Sequence, residues 1–360
     1  MPGYRVAVIA AGGIGRIHAR SWQAVEGVEL WSVADTSAEA LTEFGEAFGI
    51  PPQRRYSDFR EMLDAERPDL VSICAWHAQH AEMTIAAAAR KPKAILVEKP
   101  MATCLGDADE MLIACNRNRV KLAVGHQHRF SAPVVEARRL IASGAIGQPL
   151  YLWSASTDGL LNNGTHLVDI QRCLLGDPQV LWVVGNVERK TDRYERATPI
   201  EDACAGIVQY DGGAQGVVES DLTERGSFVR RIVGDEGQLE IVGSGIRLFD
   251  GKSAGGKGGG WRMLDVPRND AHAEQAREIV AWVDGKQETY RNDGLVARGT
   301  LEILMAIYES ARRHEIVRFP LQTRLNPLEV MLDTGRLPVE RPGRYDIRSS
   351  LVRGEGMSWL

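Results

Sequence analysis

The sequence lacks the features of membrane, secreted and nucleic-acid-binding proteins. It has no apolar run long enough to cross a bilayer, and residues 1–4 lead into an apolar segment without a basic, cleavable leader. Acidic and basic residues are interspersed, the formal net charge is -5, and there is no basic stripe. We therefore expect a cytoplasmic protein that has neither nucleic acid nor a membrane as a partner.

Cysteine is also scarce, with five residues in 360. None of the five forms a Cys-x-x-Cys pair, and none has a histidine at the spacing of a metal site. An odd number of scattered cysteines favours reduced, mostly buried thiols. The sequence therefore predicts no disulfide framework and no bound metal.

Length and composition indicate a globular protein with more than one core. A chain of 360 residues exceeds the usual size of a single hydrophobic core, so two domains are expected. Hydrophobic residues make up 44% and charged residues 25%, which is an ordinary globular balance.

The first third of the chain alternates short apolar runs with amphipathic stretches. The apolar runs are rich in Val, Ile and Ala and lack polar alternation, which is typical of strands covered on both faces. This alternation predicts an α/β domain with a doubly wound parallel sheet over residues 1–125. The predicted strands are 4–10, 29–35, 70–75, 94–98 and 121–125, and the predicted helices are 14–25, 37–48, 79–90 and 105–118.

The pattern changes after about residue 131. Successive strands separated by turns, such as Asp211-Gly212-Gly213, favour a mostly antiparallel sheet, so we predict an α+β domain over residues 126–330. Residues 251–260 are rich in Gly and Lys and predict a mobile loop. The predicted helices are 134–143, 166–175, 272–284 and 294–313, and the predicted strands are 181–187, 204–210, 214–221, 228–233 and 238–242.

The last segment, residues 331–360, matches no pattern to which we can assign a role. It contains Arg-Pro-Gly-Arg-Tyr-Asp-Ile-Arg at 341–348. One hypothesis is that this tail contacts a neighbouring subunit.

A glycine turn follows the first predicted strand. Dinucleotide-binding turns have the pattern Gly-x-Gly-x-x-Gly, and this chain has Ala10, Gly12 and Gly15 in those three slots. Gly12 would let the backbone approach a pyrophosphate, and Gly15 would let the helix pack close to the strand. Ala10 is acceptable if its φ stays negative. The helix start at Gly13 and Ile14 would offer N–H donors to the phosphates.

A glycine turn alone also occurs in other α/β folds, but its context favours a nucleotide site. Asp35 ends the second predicted strand, about 20 residues after the last glycine, where the ribose-binding acid belongs. A carboxylate there accepts hydrogen bonds from ribose hydroxyls and repels a 2′-phosphate. No Arg or Lys occurs in residues 36–41. The sequence therefore predicts NAD as the cofactor in preference to NADP.

Three further blocks resemble one known family. They are Val-Glu-Lys-Pro at 97–100, Gly-His-Gln-His-Arg-Phe at 125–130, and Asn-Asn-Gly-Thr-His-Leu-Val-Asp at 162–169. With the glycine turn, they resemble the glucose–fructose oxidoreductase and inositol dehydrogenase (Gfo/Idh/MocA) family from about residue 5 to 242. The resemblance implies an N-terminal Rossmann domain and a C-terminal α+β domain. It also implies that the open sheet of the second domain forms subunit contacts, so a homodimer or homotetramer is expected.

The resemblance implies catalytic roles for Lys99 and His166. The family's Glu-Lys-Pro motif places its lysine beside the nicotinamide, and partial desolvation near a cationic ring favours a neutral amine that can act as a general base. Glu98 would then help to form the cofactor site. A helix N-terminus favours a neutral imidazole at His166, which can share a proton with a substrate hydroxyl. The alternatives are a surface lysine paired with Glu98 and a histidine bonded to backbone.

The chain departs from the family four residues before His166. Many relatives have Asp at this position, but this chain has Asn162, which can orient a hydroxyl and cannot accept a proton. We expect Asn162 to assist catalysis and Asn163 to contact the substrate. Asp158 is a possible substitute for the missing carboxylate.

Five other residues complete the predicted site. Trp76 and His77 follow the strand at 70–75, where the chain should pass near the nicotinamide. His128, Arg129 and Trp153 are predicted to line the substrate pocket, Trp153 because aromatic faces suit the C–H surfaces of sugars.

Together these features predict an NAD-dependent enzyme that transfers a hydride between nicotinamide and a secondary alcohol of a sugar, inositol or glycoside. Two alternatives remain. One is an NADPH-dependent reductase of a keto-sugar or another carbonyl compound. The other is a nicotinamide-binding sensor or regulator without turnover.

Overall fold

The computed structural model describes residues 3–222, 229–250 and 259–348. The chain divides into two compact units. The N-terminal unit comprises Met1–Phe130 and Asp270–Arg298, and the C-terminal unit comprises Ser131–Asn269 and Gly299–Leu360. Residues 126–130 and 270–298, which we predicted in the second domain, thus belong to the N-terminal unit. Most of the predicted mobile loop, residues 251–258, and the end of the tail lie outside the described residues.

The described residues contain both predicted sheets and several strands and helices that were not predicted. The strands are β1 (Tyr4–Ile9), β2 (Val28–Ala34), β3 (Arg55–Tyr56), β4 (Leu70–Ile73), β5 (Ala94–Glu98), β6 (Lys121–Gly125), β7 (Pro149–Ser156), β8 (Val180–Glu188), β9 (Thr191–Glu195), β10 (Thr198–Pro199), β11 (Ala203–Tyr210), β12 (Gln215–Ser220), β13 (Val229–Gly234), β14 (Gly237–Val242), β15 (Gly245–Asp250), β16 (Trp261–Asp265), β17 (Val317–Arg318) and β18 (Arg341–Asp346). The α-helices are α1 (Gly13–Gln23), α2 (Ala38–Phe48), α3 (Phe59–Glu66), α4 (His80–Ala89), α5 (Leu105–Asn118), α6 (Ala132–Ala142), α7 (Thr165–Leu175), α8 (Ala271–Val283), α9 (Gly294–Arg313) and α10 (Pro327–Asp333). None of these helices is long and apolar enough to span a membrane.

The N-terminal unit contains a six-stranded parallel sheet in the order β3-β2-β1-β4-β5-β6. The prediction of a doubly wound parallel sheet is confirmed. The strand order reverses between β1 and β4, so the carboxyl ends of these strands form the switch point at which such sheets bind ligands. The residues that follow β1, β4 and β5 therefore share one edge of the sheet.

Residues 51–69 contain two elements that we did not predict. Strand β3 has only two residues, which is too short to produce a periodic pattern. Helix α3 is short as well, but it has a local signal, since the Asp58 side chain accepts a hydrogen bond from the backbone N–H of Arg60 at 2.7 Å.

Helix α8 extends the core of the N-terminal unit. Its buried residues Ala276, Ile279 and Trp282 belong to the same apolar cluster as Val8 of β1 and Trp22 of α1. The amphipathic pattern of α8 predicts a helix but does not indicate which core receives its apolar face. This explains why the sequence misassigned residues 270–298 to the second domain.

The C-terminal unit contains a nine-stranded sheet in the order β16-β15-β14-β13-β7-β12-β11-β8-β17. All neighbouring pairs are antiparallel except β7 and β12, which are parallel. The prediction of a mostly antiparallel sheet is confirmed. Gly212 and Gly213 both have positive φ in the predicted turn between β11 and β12.

Helices α7 and α9 cover one face of this sheet. Gln171 of α7 donates to Ser154 Oγ on β7 at 3.1 Å, and a Cβ at Gly206 would collide with Ile307 of α9. Because successive strand residues point to opposite faces, Trp153 and Ile207 lie on the other face. A second, three-stranded sheet in the order β10-β9-β18 completes the unit.

Candidate active site

The predicted glycine turn connects β1 to α1, with one departure from expectation. Ala10 has a φ of 76°, so the condition under which alanine would be acceptable in this slot is not met. The left-handed region costs a residue with a side chain roughly 1–2 kcal/mol, and this explains why glycine is the usual residue in that slot. Gly15 has the predicted role, because a Cβ there would collide with the carbonyl oxygen of Ala10.

The other two glycines leave space at the start of α1. A Cβ built on Gly12 or Gly13 would find nothing within 4 Å. The helix begins at Gly13, with Gly12 as its N-cap, and Ile14 follows in the first turn. The backbone N–H groups of this turn therefore have room for an approaching phosphate group, which fits the pyrophosphate of a dinucleotide.

Asp35 lies beside the same turn, directly after β2. Its carboxylate accepts hydrogen bonds from the backbone N–H of Ala11 at 2.9 Å and of Ser37 at 2.8 Å. These two bonds fix the carboxylate next to the glycine turn. The geometry fits a carboxylate that accepts from ribose hydroxyls.

Glu98 is a buried, charged residue at the end of β5. It contacts His18 of α1, whose Nε2 lies 2.9 Å from Glu98 Oε1, and it accepts a hydrogen bond from the backbone N–H of Lys99 at 3.3 Å. Burial alone would raise the pKa of Glu98, but the hydrogen bond and charge of His18 lower it to about 2. Gly125 leaves room for this side chain, since a Cβ there would collide with Glu98 Oε1.

His18 is held from both sides of its ring. Its Nδ1 lies 2.7 Å from Ser72 Oγ on β4, and Trp22 Nε1 donates to the same hydroxyl at 3.3 Å. Burial lowers the pKa of His18, but contact with Cys74 and with Glu98 outweighs burial and raises it to about 10. The result is a buried ion pair that connects the helix after the glycine turn to the residue before Lys99.

Lys99 is half-buried at the carboxyl edge of the sheet, directly after β5. The peptide bond between Lys99 and Pro100 is cis. The His80 ring lies between two carbonyl oxygens, with Nδ1 2.8 Å from Pro100 O and Nε2 3.0 Å from Ala75 O. Burial lowers the pKa of His80. The ends of β4 and β5 are therefore connected through His18 before Lys99 and through His80 after it.

Trp76 and His77 follow β4 at the same edge of the sheet, as predicted. Trp76 is half-buried and His77 is buried. The rings of His77 and His80 meet edge to face, with centroids 6.0 Å apart.

The second group of predicted residues lies in the C-terminal unit, in the segment between β7 and α7. We call residues 157–163 the asparagine loop. Asn162 and His166 are both buried, about one helical turn apart, because a short π-helix at Leu160–Gly164 runs directly into α7. The Asn162 side chain donates to the carbonyl oxygen of Asp158 at 3.2 Å, and that of Asn163 donates to Thr157 O at 2.9 Å.

Two carboxylates outside the asparagine loop hold its backbone. Asp221 accepts from the backbone N–H groups of Asp158 at 2.9 Å and Gly159 at 2.8 Å, and Glu201 accepts from that of Leu160 at 2.6 Å. The bonds to Asp221 and Glu201 stabilise a turn in which Asp158 has a φ of 73°. Burial raises the pKa of Glu201, whose other oxygen accepts from the Tyr308 hydroxyl at 2.6 Å.

Two predicted substrate contacts are placed elsewhere. Arg129 is buried in the N-terminal unit and donates to the carbonyl oxygen of Arg291 at 3.0 Å, which is a structural role. Trp153 lies on the sheet face opposite α7, the helix that contains His166. We therefore leave both out of the proposed site, and His128, which is half-buried beside Arg129, stays a prediction.

Sequence reasoning missed the residues that hold the functional groups in place. His18 had a weak signal, a histidine three residues after Gly15 on the helix that opens the nucleotide site. Asp221, Glu201 and Arg193 gave none, because they are distant along the chain from the loop that Asp221 and Glu201 contact. Arg193 donates to Asp221 Oδ1 at 3.0 Å and pairs with its charge.

The chain is similar to known oxidoreductases over most of its length. Residues 4–126 match the family described as "Oxidoreductase family, NAD-binding Rossmann fold", and residues 134–244 match the "GFO/IDH/MocA C-terminal domain". D-apiose dehydrogenase of Paraburkholderia graminis is 29% identical over 261 residues, covering 66% of this chain and 67% of that protein. Myo-inositol 2-dehydrogenase of Thermotoga maritima is 26% identical over 259 residues, covering 68% and 74%.

A solved structure shares the fold over most of the chain. Levoglucosan dehydrogenase, in complex with NADH and levoglucosan, has a TM-score of 0.78 at 20% identity, covering 89% of this chain and 100% of that one. The two family matches and the two sheets confirm the resemblance seen in the sequence. The chain belongs to the Gfo/Idh/MocA family of oxidoreductases and is an enzyme with an NAD-binding Rossmann fold.

Proposed function

We propose that this enzyme transfers a hydride between nicotinamide and a secondary alcohol of a sugar, inositol or glycoside, with Lys99 as the general base. The observation that carries the proposal is the buried pair of Glu98 and His18. Glu98 accepts from the backbone N–H of Lys99, so the pair holds the backbone of Lys99 at the sheet edge that also contains the glycine turn.

We propose NAD rather than NADP as the cofactor. The Asp35 carboxylate beside the glycine turn would accept from both ribose hydroxyls and would repel a 2′-phosphate. Residues 36–41 provide no Arg or Lys to pair with that phosphate. When bound, the nicotinamide supplies the hydride acceptor, and the protein supplies position and proton transfer.

The remaining roles fall to Lys99 and to two residues of the C-terminal unit, His166 and Asn162. Lys99 would take the proton from the substrate hydroxyl, and His166 would assist by sharing a proton with the same or a neighbouring hydroxyl. Asn162, a neutral amide one turn before His166, would orient hydroxyl groups without taking a proton. A neutral set of donors and acceptors suits an uncharged polyol, and the apiose, inositol and levoglucosan dehydrogenases named above act on substrates of this kind.

The test is a screen of sugars, inositols and glycosides, read by NADH absorbance and repeated with NADP and in the direction of carbonyl reduction. Lys99→Met should lower turnover on the best substrate by about 100-fold or more and leave NAD affinity nearly unchanged. Lys93→Met is the matched control, because Lys93 is an exposed lysine at the other end of β5 that pairs with Asp69.

The possible outcomes separate the three functions. Near-normal turnover of Lys99→Met would remove Lys99 from the chemistry. Faster turnover with NADPH and a ketone would replace the proposal with a carbonyl reductase. NAD binding without turnover of any tested substrate would favour a sensor.

A further inference from the structure

The segment 341–348, to which the sequence assigned no role, docks on the C-terminal unit. We call it the C-terminal strap. It adds β18 in parallel to β9. The buried Asp346 carboxylate accepts from the backbone N–H groups of Arg196 at 3.0 Å, Ala197 at 2.7 Å and Arg348 at 2.8 Å. Ile347 donates its N–H to Tyr194 O at 2.9 Å. The end of the strap, and Arg348 with it, is therefore held by several hydrogen bonds.

Arg348 extends from the strap to the asparagine loop. Its Nη2 donates to Asp158 Oδ2 at 3.1 Å, and its Nε lies 3.9 Å from Oε1 of the buried Glu195. Asp158 is the residue of the loop with a positive φ. Its carboxylate also lies 3.4 Å from Asn163 Nδ2, and its carbonyl oxygen accepts from Asn162. One aspartate thus contacts both asparagines and the strap.

The same small sheet holds the asparagine loop by a second route. Arg193 of β9 pairs with Asp221, which accepts from the backbone N–H groups of Asp158 and Gly159. Glu201, just after β10, accepts from Leu160. This second route does not need Arg348, so a change at Arg348 should let the asparagine loop open more often without unfolding its backbone turn.

We propose that Arg348 is a positioning residue that fixes Asp158, and through it Asn162 and Asn163, so that the C-terminal strap sets the affinity for the substrate. This inference rests on the proposed function, in which the asparagines orient substrate hydroxyls. It also assigns Asp158 a different role from the one considered in the sequence, because a carboxylate committed to Arg348 serves as a fixed support and not as the proton acceptor.

The experiment compares Arg348→Gln with Arg344→Gln in the full-length enzyme. Arg344 is on the same strap and lies over the Tyr194 ring, with its Cζ 4.2 Å from the ring centroid. Arg348→Gln should raise the KM for the sugar about fivefold, the upper range for a half-exposed ion pair, and leave kcat and the KM for NAD within about twofold. Arg344→Gln should change none of these constants, and Arg348→Lys should recover part of the loss.

A second readout does not depend on activity. Backbone hydrogen exchange in peptides that cover residues 157–163 should be faster in Arg348→Gln than in the wild type and in Arg344→Gln. The double variant Asp158→Asn, Arg348→Gln should have a KM for the sugar and an exchange rate no higher than those of the more affected single variant. The reason is that each single change already removes the same interaction.

The proposal is overturned if exchange in the asparagine loop is unchanged in Arg348→Gln, or if Arg344→Gln has the same effect. If the wild type turns over no sugar, the proposed function fails, and hydrogen exchange still decides whether the strap orders the loop. Faster exchange with an unchanged KM would show that the strap orders a loop that does not bind the substrate, which overturns its role in affinity.

Discussion

Glu98 is a charged residue inside a protein core, and its environment explains how that charge is tolerated. A buried carboxylate without a partner costs several kcal/mol of folding free energy, which a paired and hydrogen-bonded partner can offset. Here His18 supplies the charge at 2.9 Å, and Ser72 and the Lys99 backbone satisfy further polar atoms. The arrangement offsets the cost of burying the Glu98 charge and holds the backbone of Lys99.

The pH dependence of stability provides a test of this pair. Glu98 has a pKa of about 2 against an ordinary value of 4.5, so its contribution is complete above pH 4.5 and is lost as the pH falls toward 2. His18 has a pKa of about 10 against an ordinary value of 6.5, so its contribution is complete below pH 6.5 and is lost as the pH rises toward 10. Both contributions are complete only between pH 4.5 and 6.5.

We therefore expect the free energy of unfolding of the double variant His18→Gln, Glu98→Gln to differ most from that of the wild type between pH 4.5 and 6.5. Urea unfolding at a series of pH values would measure the difference in free energy of unfolding, which should shrink on both sides of the window. The control is Arg16→Gln, Glu43→Gln, which removes a more exposed ion pair that also involves α1. A difference that is constant with pH would contradict the assigned charges.

At the scale of single elements, the turn between β1 and α1 combines two opposite demands on glycine. At Gly15 there is no room for a side chain, because the carbonyl oxygen of Ala10 occupies the space. At Gly12 there is room, since nothing lies within 4 Å of a Cβ in the described structure. Gly15 allows the helix to pack against the turn, and Gly12 leaves space for a phosphate group.

Two alanine variants should separate these demands. Gly15→Ala should lower the free energy of unfolding by about 1–3 kcal/mol, because the added methyl overpacks a helix–strand contact. Gly12→Ala should leave the stability of the cofactor-free protein within about 0.5 kcal/mol and weaken NAD binding about tenfold. Urea unfolding and calorimetric titration with NAD would measure both effects. Equal loss of stability in the two variants would contradict this division.

At the scale of the whole molecule, the face of the nine-stranded sheet opposite α7 and α9 supports the proposal of a homo-oligomer. Direct register places Val184, Ile207, Val217 and Trp153 side by side across four strands of this face. Ile207 is 38% exposed, although it lies in the middle of a strand in a large sheet. An apolar row of this kind is typical of a surface that packs against a second copy of the same chain.

The oligomer prediction is tested by light scattering on two matched variants. Ile207→Lys should reduce the mass of the assembly, because it places a charge in the middle of the apolar row. Ile113→Lys should leave the mass unchanged, since Ile113 is an exposed isoleucine, at 47%, on α5 of the N-terminal unit. A monomeric wild type, or dissociation by the Ile113 variant, would contradict an assembly through this face.

Much of the fold could be predicted because its signals are local. Apolar strands, helix caps and glycine turns depend on residues within a few positions of one another, so the strands at 94–98 and 121–125 and the helix at 105–118 were predicted with their observed bounds. The β16 strand and the docked β18 were not predicted, because their pairing is decided by partners far away in the chain. The φ of Ala10 could not be predicted, because it depends on how the turn closes against α1.

The sequence by itself determined the fold class, the glycine turn, the Glu-Lys-Pro motif and the family, because each is encoded by short, ordered blocks. Only the tertiary structure decided which groups hold these blocks in place. His18 meets Glu98 across 80 residues, and Arg348 meets Asp158 across 190. It also decided that α8 completes the N-terminal core and that Arg129 is buried there. Such contacts depend on which faces of distant elements meet, and periodicity in a single sequence determines the faces but not their partners.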